Sequence, residues 1–390
     1  MADKNERIET TITEEFRWLH RHPELSHEEF ETTKRVRTAL LAAHVRILDL
    51  PLATGLIAEV GEGDPVIAIR CDIDALPVEE QTNLPYRSEA FGKMHACGHD
   101  FHTAAVLGAA LLLKEREKER AGARRGRVRI VFQPAEEAPG GAKDVLKTGA
   151  LDGVSAIFGI HAAPALEVGA VGIRAGAVTA SVDRFQFRFC GKGTHAAHPN
   201  RGIDPIPIAA AFVQAVQTVV SRSLDPFSAG LVSVTHVEAG NTWNVLPETA
   251  FVEGTTRSLS AADRTRIRER VCAIAEGAAA AGGARLKSDW YAGPPATDND
   301  PAWTLLASKV AEAEGLAVLP AEVALIGEDF AFYQEYIPGA FLLVGTGLSA
   351  PLHNPKFEAS PTALFPTAHY LAALADAARS APIKKTGQSK

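Results

Sequence analysis

The 390-residue chain, 46% apolar and 22% charged, has the balance of a globular protein long enough for two domains. Its net charge of −7 argues against nucleic acid or an anionic membrane surface as a partner. The charged start lacks the apolar core of a signal peptide, and the longest apolar stretch, near 104–113, is about half of what a membrane span needs. Four cysteines do not make a disulfide framework in a chain of this size, so free thiols in the cytoplasm are expected.

In chain order, the first segment predicts two helices separated by Pro23, the second over 28–43 with Ser26 and Glu29 spaced as a capping box. Short apolar strands follow over 56–60, 66–73, 128–132 and 155–160, with helical runs over 102–118 and 142–148 between them. This alternation implies an α/β fold whose sheet is mostly parallel and covered on both faces. From 182 the pattern becomes strand 182–189, helix 205–223, strands 231–238 and 249–256, helix 261–280 and strand 284–291. That βαββαβ order is a ferredoxin-like domain. Helices over 302–314 and 328–336, a strand over 340–344 and a last helix over 362–379 resume the first style. The expected organisation is one domain made of 1–181 and 293–390, interrupted by an insert at 182–292. The tail 384–390 is polar and expected to fray.

Four places collect metal-type side chains: Cys97 and His99, with Asp100 and His102 beside them; Glu136 and Glu137 after a strand; His161 ending a strand; and His353 in a proline-flanked loop. Ligand sites in open α/β sheets gather at the carboxyl ends of strands. A thiolate, imidazoles and carboxylates suit zinc or another late divalent ion better than magnesium or calcium. Two such ions about 3.5–4 Å apart lower the pKa of a shared water towards neutrality. Neighbouring carboxylates past a strand end point in different directions, so one can bind metal while the other moves a proton. Taken singly, a histidine at a strand end is usually structural, and adjacent glutamates are usually a solvated loop. Together the four segments favour a metal site, although spacing alone does not name the reaction. Cys71, Cys190 and Cys272 stand among apolar neighbours, as buried small residues do.

These segments, with Arg70-Cys71-Asp72-Ile73-Asp74-Ala75-Leu76-Pro77, Phe132-Gln133-Pro134-Ala135-Glu136-Glu137 and matching stretches at 18–26, 94–103, 159–161, 191–197, 244–248 and 352–357, resemble peptidase family M20. This is the aminoacylase and carboxypeptidase family of dinuclear metallopeptidases, and the likeness is to its N-acyl-amino-acid amidohydrolase branch, the hippurate and auxin-conjugate hydrolases. The resemblance implies a zinc-peptidase-like catalytic domain with an inserted lid that also pairs two subunits into a homodimer, open to further assembly. It implies two divalent ions per chain, zinc or manganese first and cobalt or nickel next. Cys97 would bridge the ions, and His99, Glu137, His161 and His353 would complete the sites. Glu136 would be the general base and then the acid. His195 would reach the partner's site to steady the oxyanion. Asn244 and Arg257 would hold substrate, the guanidinium on its α-carboxylate. Asp72 is expected to orient a ligand histidine, while His102 and His198 have no forced role. Gly327 stands where many relatives carry serine, which bears on acyl preference, and 199–201 also departs from the usual lid wording.

The activity so implied is hydrolysis of N-acyl-L-amino acids, small molecules, to a carboxylic acid and a free amino acid. Its rivals are a dipeptidase or carboxypeptidase of the same family, a non-catalytic metal-binding dimer, and a mononuclear zinc protein in which Cys97 is structural.

Overall fold

The strand Val66–Asp72 is buried along its whole length, as expected where a strand is covered on both faces. It lies inside an eight-stranded sheet of a computed structural model that describes residues 2–119 and 126–381. Across the sheet the order is Arg46–Ile47, Leu56–Glu62, Gly126–Gln133, Val66–Asp72, Val154–Ala163, Gly339–Gly345, Ala170–Ile173 and Ala317–Pro320. Val66–Asp72 pairs in parallel with both neighbours, and Val154–Ala163 in parallel with Gly339–Gly345. Antiparallel pairing enters towards the margins, where Leu56–Glu62 meets Gly126–Gln133 and where Gly339–Gly345 meets Ala170–Ile173.

Helices Ala2–Arg21, His99–Glu119 and Leu364–Ala378 share one core with this sheet. At Gly108 a Cβ would stand 2.8 Å from the Ala368 Cβ and 3.1 Å from Ile12, so the three helices meet where glycine leaves room. The apolar stretch near 104–113 is therefore a helix buried on every side. None of the described helices is long and apolar enough to cross a membrane.

The chain divides into two compact units, of which the second comprises Ala177–Thr297 and Val323–Ala331. Its sheet runs Gly230–Ala239, Thr249–Ser258, Ser181–Cys190, Arg285–Ala292, every pairing antiparallel. Strand Ser181–Cys190 alternates strictly, sending Phe185, Phe187 and Phe189 into a core with Phe212 and Val271. The segment Val323–Ala331 joins this unit through backbone bonds from Ala180 to Ile326 and from Ala324 to Val178. There a Cβ on Gly327 would stand 2.7 Å from Val182 Cγ2, so close packing accounts for glycine at this position.

Several local expectations are corrected. The second helix is Phe30–Ala42, and Ser26 with Glu29 is not its capping box. His27, which such a box would make helical, has φ +66. Glu24 takes the cap instead, accepting from the amides of Glu31 (3.1 Å) and Thr32 (2.8 Å). The run 205–223 breaks into Pro205–Val216 and Thr218–Ser223, and 328–336 shrinks to Ala331–Gln334. Strands Ala170–Ile173 and Ala317–Pro320 carry too few residues for a periodicity and are specified by pairing with each other. The tail 384–390 lies outside the described residues.

Candidate metal centre

Three neighbouring parallel strands end at one place, and each delivers polar side chains there. Val66–Asp72 runs out through Asp72 to Asp74, Gly126–Gln133 runs out to Glu136 and Glu137, and Val154–Ala163 carries His161. The helix His99–Glu119 starts beside them, with Cys97 two residues before its first residue. Between Cys97 and the helix sits Gly98 at φ +84, where a Cβ would meet the Ala162 Cβ at 2.9 Å. His353 arrives on a loop whose amide donates to Ala96 O at 2.8 Å. His353 and Ala135 are left-handed non-glycine residues (φ +63 and +50), a conformation that persists only where surroundings impose it.

Atoms that could hold a metal fall into overlapping sets, each within 4.8 Å: Cys97 with His99 and His161; Cys97 with Glu137 and His353; and His99 with Glu136 and Glu137. Cys97 belongs to the first two. Its Sγ lies 3.4 Å from His161 Nε2, and Glu137 Oε1 lies 3.1 Å from His353 Nε2.

The histidines are oriented for a cation. His99 Nδ1 faces the Asp74 carbonyl at 2.9 Å and its carboxylate at 3.2 Å, and His161 Nδ1 faces the Ala162 carbonyl at 2.9 Å. A proton on each Nδ1 turns the Nε2 lone pair towards Cys97. His99 Nε2 is buried without a hydrogen-bond partner, a deficit that a metal ion removes. Burial pushes the Cys97 thiol well above its ordinary pKa, with nearby Glu137 and Glu136 adding to the rise. A divalent cation supplies the charge that would make thiolate stable there. Burial opposes charge on His99 too, but Asp72, Cys97 and Asp74 outweigh it and hold its pKa well above 6.5. Metal must displace that proton.

The orienting carboxylate is Asp74 rather than Asp72. Asp74 accepts from the amides of Glu136 (3.1 Å) and Glu137 (3.0 Å), from the Ser26 hydroxyl (2.6 Å), and holds His99. Asp72 bonds His102 Nδ1 at 2.6 Å and buried Arg70 at 2.7 Å, and stands 3.8 Å from His99 Nε2. His102 Nε2 in turn accepts the Ala162 amide at 2.7 Å, so both its nitrogens are used. Burial, set against the Asp72 contact, lowers its pKa to about 4. The sequence contained the clue to Asp74, since residues two apart at a strand end share a face.

His195, Asn244 and Arg257 belong to the second unit. His195 pairs with Val245 in a short ladder, and the Asn244 carbonyl accepts from the Ala196 amide at 3.0 Å. The exposed His195 ring accepts the Ala197 amide on Nδ1 at 3.1 Å, which leaves the proton on Nε2. Arg257 is half-buried and donates to the carbonyls of Leu325 (3.2 Å) and Thr256 (2.8 Å) and to the Thr255 hydroxyl.

The profile of Peptidase family M20/M25/M40 matches residues 68–377. The N-acetylcysteine deacetylase of Bacillus subtilis (strain 168) is 47% identical over 378 residues, covering 96% of this chain and 98% of that one. The IAA-amino acid hydrolase ILR1-like 5 of Arabidopsis thaliana is 36% identical over 375 residues, 92% of this chain and 84% of that one. Among solved structures, the YXEP protein of Bacillus subtilis, a dinuclear metal binding peptidase from the M20 family, superposes with a TM-score of 0.86. It is 43% identical, with 96% of this chain and 99% of that one covered. With a match across more than three hundred consecutive positions and relatives similar over nearly their whole length, the chain belongs to peptidase family M20/M25/M40 and is a hydrolase.

Proposed function

We propose that this chain hydrolyses the amide bond of N-acyl-L-amino acids, with two divalent ions held by Cys97, His99, Glu137, His161 and His353. The observation that carries the proposal is the pair of ligand sets sharing Cys97, with Glu136 beside them. Zinc or manganese suits the mixed thiolate, imidazole and carboxylate donors, and cobalt or nickel follows. When bound, such a pair polarises an amide carbonyl and acidifies water.

The remaining steps belong to the chain's own side chains. Glu136 is half-buried, and its backbone is tied to Asp74. It accepts a proton from the attacking water and returns it to the leaving amine, worth roughly two to four decades in rate. His195 carries its proton on Nε2 and donates it towards the developing oxyanion of a partner subunit's substrate, a contribution of about 3–4 kcal/mol. Arg257 and Asn244 take the α-carboxylate end. The exposed Leu231 and Val237 on the edge strand Gly230–Ala239 support pairing of two chains through the inserted unit. Four free cysteines suit the cytoplasm.

The two named enzyme relatives support an acyl–amino acid amide as substrate. The test is a panel of N-acetyl-, N-benzoyl- and indole-acetyl-amino acids beside dipeptides, with metal quantified in the same sample. Acyl-amino acids should turn over faster than dipeptides, with two ions bound per chain. Faster dipeptide cleavage would move the protein to the peptidase side of its family. Bound metal without turnover of any amide would leave a non-catalytic binding protein.

A further inference from the structure

Ser26 and Glu29 stand at capping-box spacing, yet Glu24 caps the helix that follows them. Glu29 is instead fully buried (0% exposed). One carboxylate oxygen accepts the Ala135 amide at 2.8 Å and the other accepts the Thr54 hydroxyl at 2.7 Å. A buried carboxylate is costly unless its lone pairs are used, and both oxygens of this one are engaged. Its partner Ala135 is the left-handed alanine that directly precedes Glu136.

Alanine disfavours that conformation, so the surroundings must hold it. Glu29 grips the amide of Ala135, and Asp74 grips the next two, of Glu136 and Glu137, while Ser26 steadies Asp74. From the first turn of helix Phe30–Ala42, the Thr33 hydroxyl bonds the amide of Gly55 at 2.7 Å. Gly55 lies so close to the Phe132 carbonyl and Pro134 that a Cβ would come within 2.6 Å of each. The start of one helix thus clamps the end of the strand Gly126–Gln133 from two directions.

We propose that Glu29 is a positioning residue: assisted by Ser26 through Asp74, it locks the Ala135–Glu137 turn in the backbone conformation that separates the tasks of Glu136 and Glu137. The proposal rests on the hydrolytic reading above. What matters is the reach of an acceptor to the Ala135 amide. Charge at Glu29 is secondary, since a glutamine can accept the same N–H and offer its own NH₂ to Thr54.

Glu29→Gln keeps the length and removes the charge; Glu29→Asp keeps the charge and shortens the reach. Both are small enough changes to be compared as folded proteins of measured Tm. For Glu29→Asp, kcat on the best acyl-amino acid should fall by about 100-fold, the scale of a ~1 Å misplacement, with KM nearly unchanged. Glu29→Gln should stay close to wild type. Independently of turnover, cobalt(II) titration followed by the Cys97 thiolate charge-transfer band should show a shifted band and weaker binding in Glu29→Asp and a wild-type band in Glu29→Gln. Wild-type kcat and band in Glu29→Asp, or equal losses in both variants, would overturn the proposal. A wild-type protein that cleaves no acyl-amino acid would sink the hydrolytic reading, and the cobalt series would still test the clamp.

Discussion

Glu136 and Glu137 are chemically identical neighbours, and their backbones bond the two oxygens of one carboxylate, Asp74. Glu137 pairs with His353, and that bond, set against burial, lowers its pKa. Replacement should separate them: Glu136→Ala should lose at least about two decades of kcat while retaining metal, the scale of general acid–base help. Glu137→Ala should lose metal first. Metal analysis after gel filtration decides, and equal metal loss in both would reverse the assignment. His20, which is not itself among the proposed ligands, offers a test of electrostatics. It is buried between Asp100 (2.6 Å) and Glu80 (3.2 Å). Burial opposes its charge, but these carboxylates outweigh it and raise its pKa from 6.5 to about 10. A pKa raised by folding adds stability that is complete below pH 6.5 and is lost as pH climbs through about 10. His20→Ala strands two buried carboxylates and should cost about 3–5 kcal/mol near neutrality. In urea unfolding, the gap to wild type should narrow towards pH 10, and a gap constant with pH would refute this account.

At the scale of elements, the segment between the first two helices shows how tertiary contacts redirect local signals. Ser26, Glu29 and the periodic run after them satisfy the rule for a capped helix start, and a helix does follow, at Phe30. The cap comes from Glu24, because His27 turns left-handed and releases Ser26 and Glu29 to Asp74 and Ala135. Glu24→Ala should therefore destabilise the protein by about 1 kcal/mol, the usual cost of a lost cap, with kcat unchanged. Denaturant midpoints and kcat measured together check this; a large drop in kcat at full stability would mean that Glu24 also acts on the site. The short strands Ala170–Ile173 and Ala317–Pro320 make the same point, since each is specified by its partner.

For the whole molecule, metal should be a folding partner as well as a reagent. An ion that binds only the native state adds about 2.7 kcal/mol at a hundred times its Kd, so chelation should lower Tm and metal should restore it. Because the His99 proton and the Cys97 thiol proton must both leave, metal affinity should rise with pH. Titration at two pH values tests this, and pH-independent affinity would exclude displacement of those protons. The proposed action of His195 across a pair of chains has its own test. Mixing inactive Glu136→Ala and His195→Ala proteins should regenerate turnover if one chain completes the other's site. A mixture that stays inactive after subunit exchange would confine His195 to its own chain.

The sequence by itself determined the class of the longer elements, because periodicity of 2 or 3.6 is written in local order, and it named the four segments rich in metal-type side chains. It also carried the family, through motifs spread from 18 to 357. The tertiary structure decided what periodicity cannot express. Which carboxylate holds His99 depends on where two strand ends and a helix start meet, and that choice fell on Asp74 over Asp72. Whether His102 had a free nitrogen depended on a backbone amide sixty residues away, at Ala162. Cys97 began as one member of a short Cys-x-His pattern and became the sulfur common to two ligand sets only because parallel strands end side by side. Hydrogen bonding and convergence are set by distances across the fold, and those distances are fixed by packing.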